Sequence, residues 1–381
     1  MIKVTHKAYK FRLYPNANQR ELFAKSFGCN RLLYNLMLDE RISIYESLKD
    51  DKESLYKYKY ITEKSYKEKY EFMKEIDSVS LQQTRRNLEQ AYKNFFKKTH
   101  KFPKFKSKHN KQSYKTVLVN GNIKVDFDNH KLKLPKLTWV HYRDSRKFDG
   151  KIHSVTISKT RSNKYYASIL VEEEIKSLNP LDNKIGIDLG IKDFVVTSNN
   201  DKFNFNKSQA KKLQKKINKN NQKLSRKQKG SNNRLKAKVQ LARSYEKLRN
   251  LKMDFFHKLS SKLVNENQVI NLEDLNIKGM LKNHNLAYSI ALSSWKTFVE
   301  MLKYKAEWYG RTINFVDRFF PSSKLCSSCG YKNDELTLDD RYWTCPQCNT
   351  KHDRDYNAAL NIRNYTAGTA EINAYGVMST H

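Results

Sequence analysis

A multidomain α+β fold is predicted by three features of this sequence. Its 381 residues are 38% hydrophobic, enough chain and enough apolar side chain for two or three packed units with real cores. Apolar residues begin with period two, change to helical spacing, and return to period two over residues 114–172. Near the end, two Cys-x-x-Cys knuckles mark a small metal-held module.

The opening KAYKFRLYP alternates basic with apolar or aromatic residues, a half-buried strand that Pro15 ends, and Asn16 or Asn18 can cap a helix beginning there. From Gln19 to Leu48, Leu22, Phe23, Phe27, Leu32, Leu33, Leu36, Met37, Ile42 and Tyr45 recur mostly at three and four. That spacing predicts two helices broken near Gly28. Another helix is predicted from Asp77 or Ser78, with Leu81, Leu88, Tyr92, Phe95 and Phe96 on one face, and it stops before Pro103.

The segments YKTVLV, NIKVDF, KLKLPKL, HSVTISK and YYASILVE then alternate between turn residues, with TRSNK as a hairpin loop, and predict a small antiparallel barrel or sheet. Because one strand precedes the helices and the others come after them, the helices read as an insertion into one β-domain. NPLDNK at 179–184 reads as a linker, and KIGIDLGIKDFVVTS as strand, tight turn and strand. Residues 207–252 hold seventeen Lys or Arg against one acid, Glu246. Their sparse apolar positions predict two long helices broken at KGSNN, a basic arm being the alternative. The tail from 367 lacks periodicity and is expected to be disordered.

A formal net charge of +35 and a pI near 9.8 exceed what solubility needs and point to a polyanion as partner, nucleic acid first. A membrane surface competes poorly, because the charge is spread along the chain and no apolar run approaches the roughly 18 residues of a spanning helix. MIKVTHKAYKFRLYP also lacks the apolar core of a signal peptide, so a cytoplasmic protein is expected. Cys29, alone in SFGCNRLLYNLML, reads as a small buried hydrophobe.

Cys326 and Cys329, fifteen residues, then Cys345 and Cys348 have the spacing of one closed tetrahedral thiolate site for structural zinc. A redox pair or an iron centre is the weaker alternative. Four thiolates leave no position for substrate, so this centre is scaffold. Acids elsewhere have a different character. In KIGIDLGIK, Asp188 alternates with Gly186 and Gly190, which would clear room for ions and a phosphodiester. QVINLEDL is a short strand ending at Glu273 and Asp274, and HDRDYNAALNIR begins a helix near Asp353 and Asp355. Each acid alone could be a turn, strand-end or helix-capping charge. Together, in a chain built for polyanions, they suit divalent ions that stabilise the attacking and leaving oxygens of a cut phosphodiester, magnesium being the hard cation of choice.

GIDLGIKDF, VINLEDL, FFPSSKLCSSCG, CPQC and HDRDYNAALNIR, with YKFRLYPN at the start and LQQTRRNLEQAYKNFF between, resemble the TnpB family over residues 2–366. That family comprises transposon-encoded RNA-guided DNA nucleases related to type V CRISPR effectors. The resemblance implies a β-barrel wedge domain at 1–17 and 103–182, and a helical recognition domain inserted at 18–102. It implies an RNase H-like RuvC nuclease at 183–320 and 350–366, interrupted by a zinc ribbon at 321–349. It further implies Asp188, Glu273 and Asp355 as catalytic ligands of two Mg2+ ions, and Cys326, Cys329, Cys345 and Cys348 as ligands of Zn2+. The implied partners are a guide RNA from the transposon end and target double-stranded DNA, with a monomer carrying one RNA as the working unit. Gln82 and Thr116 resemble contacts to a short transposon-adjacent DNA motif, and a glutamine can read an adenine edge. A nuclease-dead RNA-guided repressor and an accessory transposase stay as alternatives; the intact acid triad argues against the first.

Overall fold

The computed structural model describes residues 2–280, 282, 293–337 and 339–365, so the expectation for the tail from 367 lies outside the described residues. The chain forms two compact units, one from Val4 to Glu174 and the other from Ile175 onward with the first three residues.

The first unit is a sheet with inserted helices. Its strands are β1 (Ile2–Leu13), β2 (Gln112–Val117), β3 (Lys124–Asp126), β4 (Lys131–Leu134), β5 (Leu137–Arg143), β6 (Lys151–Lys159) and β7 (Tyr165–Lys176). Between β1 and β2 come α1 (Ala17–Leu48), α2 (Lys52–Lys57), α3 (Glu63–Lys69) and α4 (Ser78–Phe96), as the insertion reading requires. The strand order is β2-β6-β7-β1-β5-β4-β3, with β2 and β3 at the two edges. The seven strands therefore form an open sheet, the second of the two forms that the alternation allowed, and not the β-barrel that the resemblance implied. The reason lies in α1: Phe23 and Phe27 enter the sheet's core, with ring centroids 5.6 Å from Tyr165 and 5.8 Å from Tyr114 respectively. A helix thus covers apolar surface that closure would otherwise have to bury.

Helix α1 also corrects the expected break at Gly28, since it runs unbroken over 32 residues from a capping box between Asn16 and Gln19. An interior glycine costs a helix only about 1 kcal/mol relative to alanine. Here the flanking turns are both anchored, Phe23 and Phe27 in the sheet, and Leu33, Met37 and Leu38 in a second core with Met73, Ile76, Leu81 and Leu88. Asp77 caps α4 by accepting from the amides of Val79 and Ser80. Phe96, assigned to the buried face by spacing, is 73% exposed.

The second unit is a mixed five-stranded sheet. Its strands β8 (Lys184–Asp188), β9 (Val195–Thr197), β10 (Lys202–Phe203), β11 (Val269–Glu273) and β12 (Thr312–Val316) lie in the order β10-β9-β8-β11-β12. The first three are antiparallel neighbours; β11 runs parallel to both β8 and β12. The basic stretch forms a helical hairpin, α5 (Lys207–Ser225) and α6 (Asn232–Glu266). Arg234 donates to the carbonyls of Leu224 and Lys227 at 2.8 and 2.6 Å, and Asn220 donates to the Ser244 hydroxyl at 2.9 Å. Ile217 and Leu248 are buried, so this segment is a packed element rather than a basic arm. Phe256, Leu259 and Leu263 of α6 pack with Phe298, Met301 and Leu302 of the helix Trp295–Tyr309 and with Ile185, Ile187, Ile270 and Leu272 of the sheet. A two-stranded ribbon, β13 (Tyr342–Thr344) and β14 (Lys351–Asp353), leads into a last helix, Arg354–Asn364. Among the described residues no helix is long and apolar enough to cross a membrane.

Candidate active site and metal centre

Asp188 ends β8 and Glu273 ends β11. The parallel register sets Asn271 beside Gly186 and Leu272 beside Ile187, so Glu273 comes beside Asp188 at the C-terminal edge of the sheet. Residues two apart share a face, which puts Gly186 with Asp188 and Asn271 with Glu273. The last helix covers that face. A Cβ on Gly186 would stand 2.0 Å from the Ala359 carbonyl oxygen and 2.4 Å from the Arg363 amide nitrogen. Gly186 therefore admits a helix backbone, and a Cβ on Gly190 would likewise stand 2.7 Å from the Asp193 carbonyl oxygen, so the two glycines serve close backbone approach rather than clearing room for ions as their alternation with Asp188 implied.

Asn271 fixes the helix in place. Its amide donates to the carbonyls of Ile362 and Arg363, both at 3.1 Å, and its oxygen accepts from Asn314 at 3.1 Å. With its C-terminus held over the middle of the sheet, the helix begins at the strand ends, and its first turn carries Asp355. The same helix holds the cysteine module. Asn357 and Asn361 both donate to the Leu325 carbonyl, at 2.6 and 2.7 Å, and Asn357 accepts from the Ser327 amide at 2.9 Å. These asparagines, together with Asn271, Asn314 and Arg341, were missed by sequence reasoning; the four-residue spacing in NAALN was the available signal.

Electrostatically the three acids are unlike one another. Burial and then the neighbouring charges of Glu273 and Asp355 push the Asp188 carboxyl well above the usual range, against Arg354 and Arg341. Burial also raises Glu273, opposed by a hydrogen bond from the Ser322 hydroxyl. Asp355 meets the Arg341 guanidinium at 3.2 and 3.3 Å and Arg354 at 3.4 Å. The adjacent acids are engaged elsewhere. Asp353 caps the last helix, accepting from the amides of Asp355 and Tyr356 at 3.1 and 3.3 Å, and pairs with Lys202 at 2.7 Å. Burial raises its pKa, but these partners together hold it below the ordinary value. Asp274 pairs with Arg318 at 2.5 Å. The donor set of Asp188, Glu273 and Asp355 is all oxygen, which suits a hard divalent cation, and the raised pKa of Asp188 reflects burial first and then like charges that such a cation would neutralise.

The cysteines are already assembled. All four sulfurs lie within 4.8 Å of one another, with Cys326 to Cys348 and Cys329 to Cys345 both 3.6 Å apart. Bonds of about 2.3 Å to a tetrahedral zinc place sulfurs about 3.8 Å apart, so the residues fit that ion. Each knuckle turns through a residue with positive φ, Gly330 at 78° and Asn349 at 56°, whose amides donate to the Cys326 and Cys345 carbonyls at 2.9 Å. Thr350, through its hydroxyl and backbone, draws the Cys348 thiol down to about 6. His352 brings Nε2 to 3.0 Å from the Cys326 sulfur. Trp343 packs in this small core, whereas Tyr342 is 75% exposed. The two residues considered for DNA contact diverge as well: Gln82 is exposed on α4, while Thr116 is buried in β2 and its hydroxyl has no hydrogen-bond partner. Cys29 is buried, as expected of a small hydrophobe.

Residues 168–284 match the OrfB_IS605 family, described as "Probable transposase", and residues 295–362 match the Cas12f1-like TNB domain. Residues 1–50 match a helix-turn-helix domain model, although here they form a strand followed by one helix. A Streptomyces pristinaespiralis protein provisionally named an RNA-guided DNA endonuclease is 36% identical over 365 residues, covering 95% of this chain and 90% of that one. The protein named RNA-guided DNA endonuclease InsQ, again provisionally, from Escherichia coli (strain K12), is 29% identical over 374 residues, covering 93% and 91%. A Cas12f1 solved with sgRNA and target DNA superposes with a TM-score of 0.62 at 15% identity, covering 95% of this chain and 99% of that one, a likeness of fold. With a relative this similar along almost its whole length, and with the motifs of its last third in place, the chain belongs to the TnpB family.

Proposed function

We propose that the protein is a transposon-encoded RNA-guided DNA endonuclease that cuts at a RuvC-type site made by Asp188, Glu273 and Asp355. The observation that carries this reading is the placement of two carboxylates at the ends of adjacent parallel strands, beneath a helix whose first turn supplies the third. Three antiparallel strands followed by two parallel ones support an RNase H-like unit for residues 183–320 and 350–366. Asp188, Glu273 and Asp355 would hold two Mg2+ ions, which when bound stabilise the attacking and leaving oxygens of a phosphodiester. Ser322 orients Glu273 through its hydrogen bond, and Arg341 must yield Asp355 before that carboxylate can serve as a ligand.

The cysteine ribbon at 321–349 holds Zn2+ as a structural ion. The open sheet acts as the wedge and the α1–α4 insertion as the recognition domain. The net charge of +35 suits a guide RNA and a target duplex, and the basic α5/α6 hairpin offers a phosphate-binding surface. Gln82 stands exposed where it can read a base edge of the transposon-adjacent motif. The protein acts in the cytoplasm as a monomer with one RNA.

The test uses the complex purified after co-expression with the DNA downstream of the gene, its RNA sequenced and its motif defined on a randomised library. Asp188→Ala is expected to lower cleavage by roughly 10³-fold, about 4 kcal/mol of transition-state stabilisation, while guide-directed DNA binding persists. Full cleavage by that variant, or by the wild-type complex in EDTA, would overturn the reading.

A further inference from the structure

We propose that His6, His153 and Glu172 form a separate site for a borderline transition-metal cation, zinc being the probe of choice, on the sheet of the Val4–Glu174 unit. The three residues lie on β1, β6 and β7, which are neighbours in the order β6-β7-β1. The register between β6 and β7 slips at this point: Ile152 faces Val171 and Ser154 faces Leu170, leaving His153 as the extra residue of a β-bulge. Bulges re-aim side chains. This one brings His153 Nε2 to 3.1 Å from Glu172 Oε2. From the other side, His6 Nε2 stands 3.8 Å from the same oxygen, with the two imidazole centroids 4.8 Å apart and tilted by 58°.

All three donor groups lie within 4.8 Å of one another, and among the described residues the four cysteines are the other group that meets this condition. Ligands bound at about 2.0–2.2 Å around a tetrahedral zinc stand roughly 3.4 Å apart. His153 and Glu172 are near that spacing, and His6 needs to close by about half an ångström. Its side chain is 55% exposed and has room to move. Two imidazoles and one carboxylate suit zinc, cobalt, nickel or copper rather than magnesium. The adjacent acid does not compete, because Glu173 is taken by the Tyr9 hydroxyl at 2.8 and 2.9 Å and by Lys7 at 3.7 Å. Partial exposure of all three side chains leaves a coordination position open to water or a small anion. A bound ion would clasp the start of the chain to the β6–β7 hairpin, and would stabilise the folded unit by mass action.

Full-length protein, dialysed against low-micromolar zinc and then desalted, is expected to carry one more equivalent than the four cysteines account for. His6→Ala/His153→Ala and Glu172→Gln should each lose that equivalent. Cobalt-substituted samples of the same variants should keep the thiolate-to-cobalt charge-transfer band, which shows the ribbon still folded. Equal zinc content in wild type and the double variant, whether both hold the extra ion or neither does, overturns the proposal.

Discussion

Cys348 and Asp355 are seven residues apart, yet their sites are assembled in opposite ways. The four sulfurs are gathered within 4.8 Å by two local turns and a two-stranded ribbon, and stand ready for an ion. Asp188, Glu273 and Asp355 come from two strand ends and a helix; burial, and then the charges of the other two, raise the pKa of Asp188, and Asp355 is lent to an arginine. A thiolate site built from nearby residues can preform because two local turns and a short ribbon hold its donors together. A carboxylate site gathered from across a domain sets like charges against one another whenever its acids are ionised, and its geometry depends on what the fold can restrain.

The largest effect should come from the preformed side. Cys326→Ser removes a ligand from a centre of a kind worth roughly 10 kcal/mol in zinc-linked folding, so the ribbon should lose its zinc and cleavage should collapse. The Val4–Glu174 unit should keep its melting transition in calorimetry; a loss of both transitions together would break the distinction between the two sites. Next comes Gly186→Ala, which inserts a methyl against the Ala359 carbonyl. A destabilisation of about 1–3 kcal/mol is expected, with a fall in cleavage as Asp355 shifts, while zinc content stays constant. Unchanged stability would show that the last helix does not need the close approach.

A smaller effect concerns pH. Folded-state pKa values of Asp188 and Glu273 lie above those of the unfolded chain, so the metal-free folded protein holds the extra protons. Their contribution to stability is fully present below the unfolded pKa and is lost as pH rises through the folded values. In chelator, Asp188→Asn should therefore melt higher than wild type by about 2–4 °C near neutrality, with the difference shrinking in acid and reversing on adding Mg2+. A gap independent of pH would rule out ionisation of the buried Asp188 carboxyl as the cause. The smallest change is expected for Arg341→Ala. The pair it breaks is part-exposed and worth under about 1 kcal/mol, and its loss should lower the Mg2+ concentration for half-maximal cleavage a few-fold. A higher requirement would instead make Arg341 a support for Asp355.

Much of the local structure was legible. The alternation in KAYKFRLYP, the TRSNK hairpin, the KGSNN break and the paired knuckles all report interactions between residues close in the chain. The continuity of α1 through Gly28 was not legible, because it depends on two cores touching opposite ends of one helix. Nor was the open sheet: alternation reveals which face of a strand is buried, but not whether a helix or another strand covers it. At the candidate site, Asp188, Glu273 and Asp355 stood out by type and motif, while Asn271, Asn357, Asn361 and Arg341 read as ordinary polar residues until their partners were in view. The glycines beside Asp188 were visible, and their purpose was not.

By itself the sequence determined the periods of its strands and helices, the spacing that closes a thiolate site, the charge that calls for a polyanion, and the motif order of its family. These arise from side-chain chemistry and from separations of a few residues. Only the tertiary structure decided that Glu273 lies beside Asp188, that a helix backbone rather than a ligand fills the space over Gly186, and that a bulge turns His153 toward Glu172 and His6. Each of these depends on strands and helices distant in sequence meeting in one register, and that register is chosen by packing the whole domain.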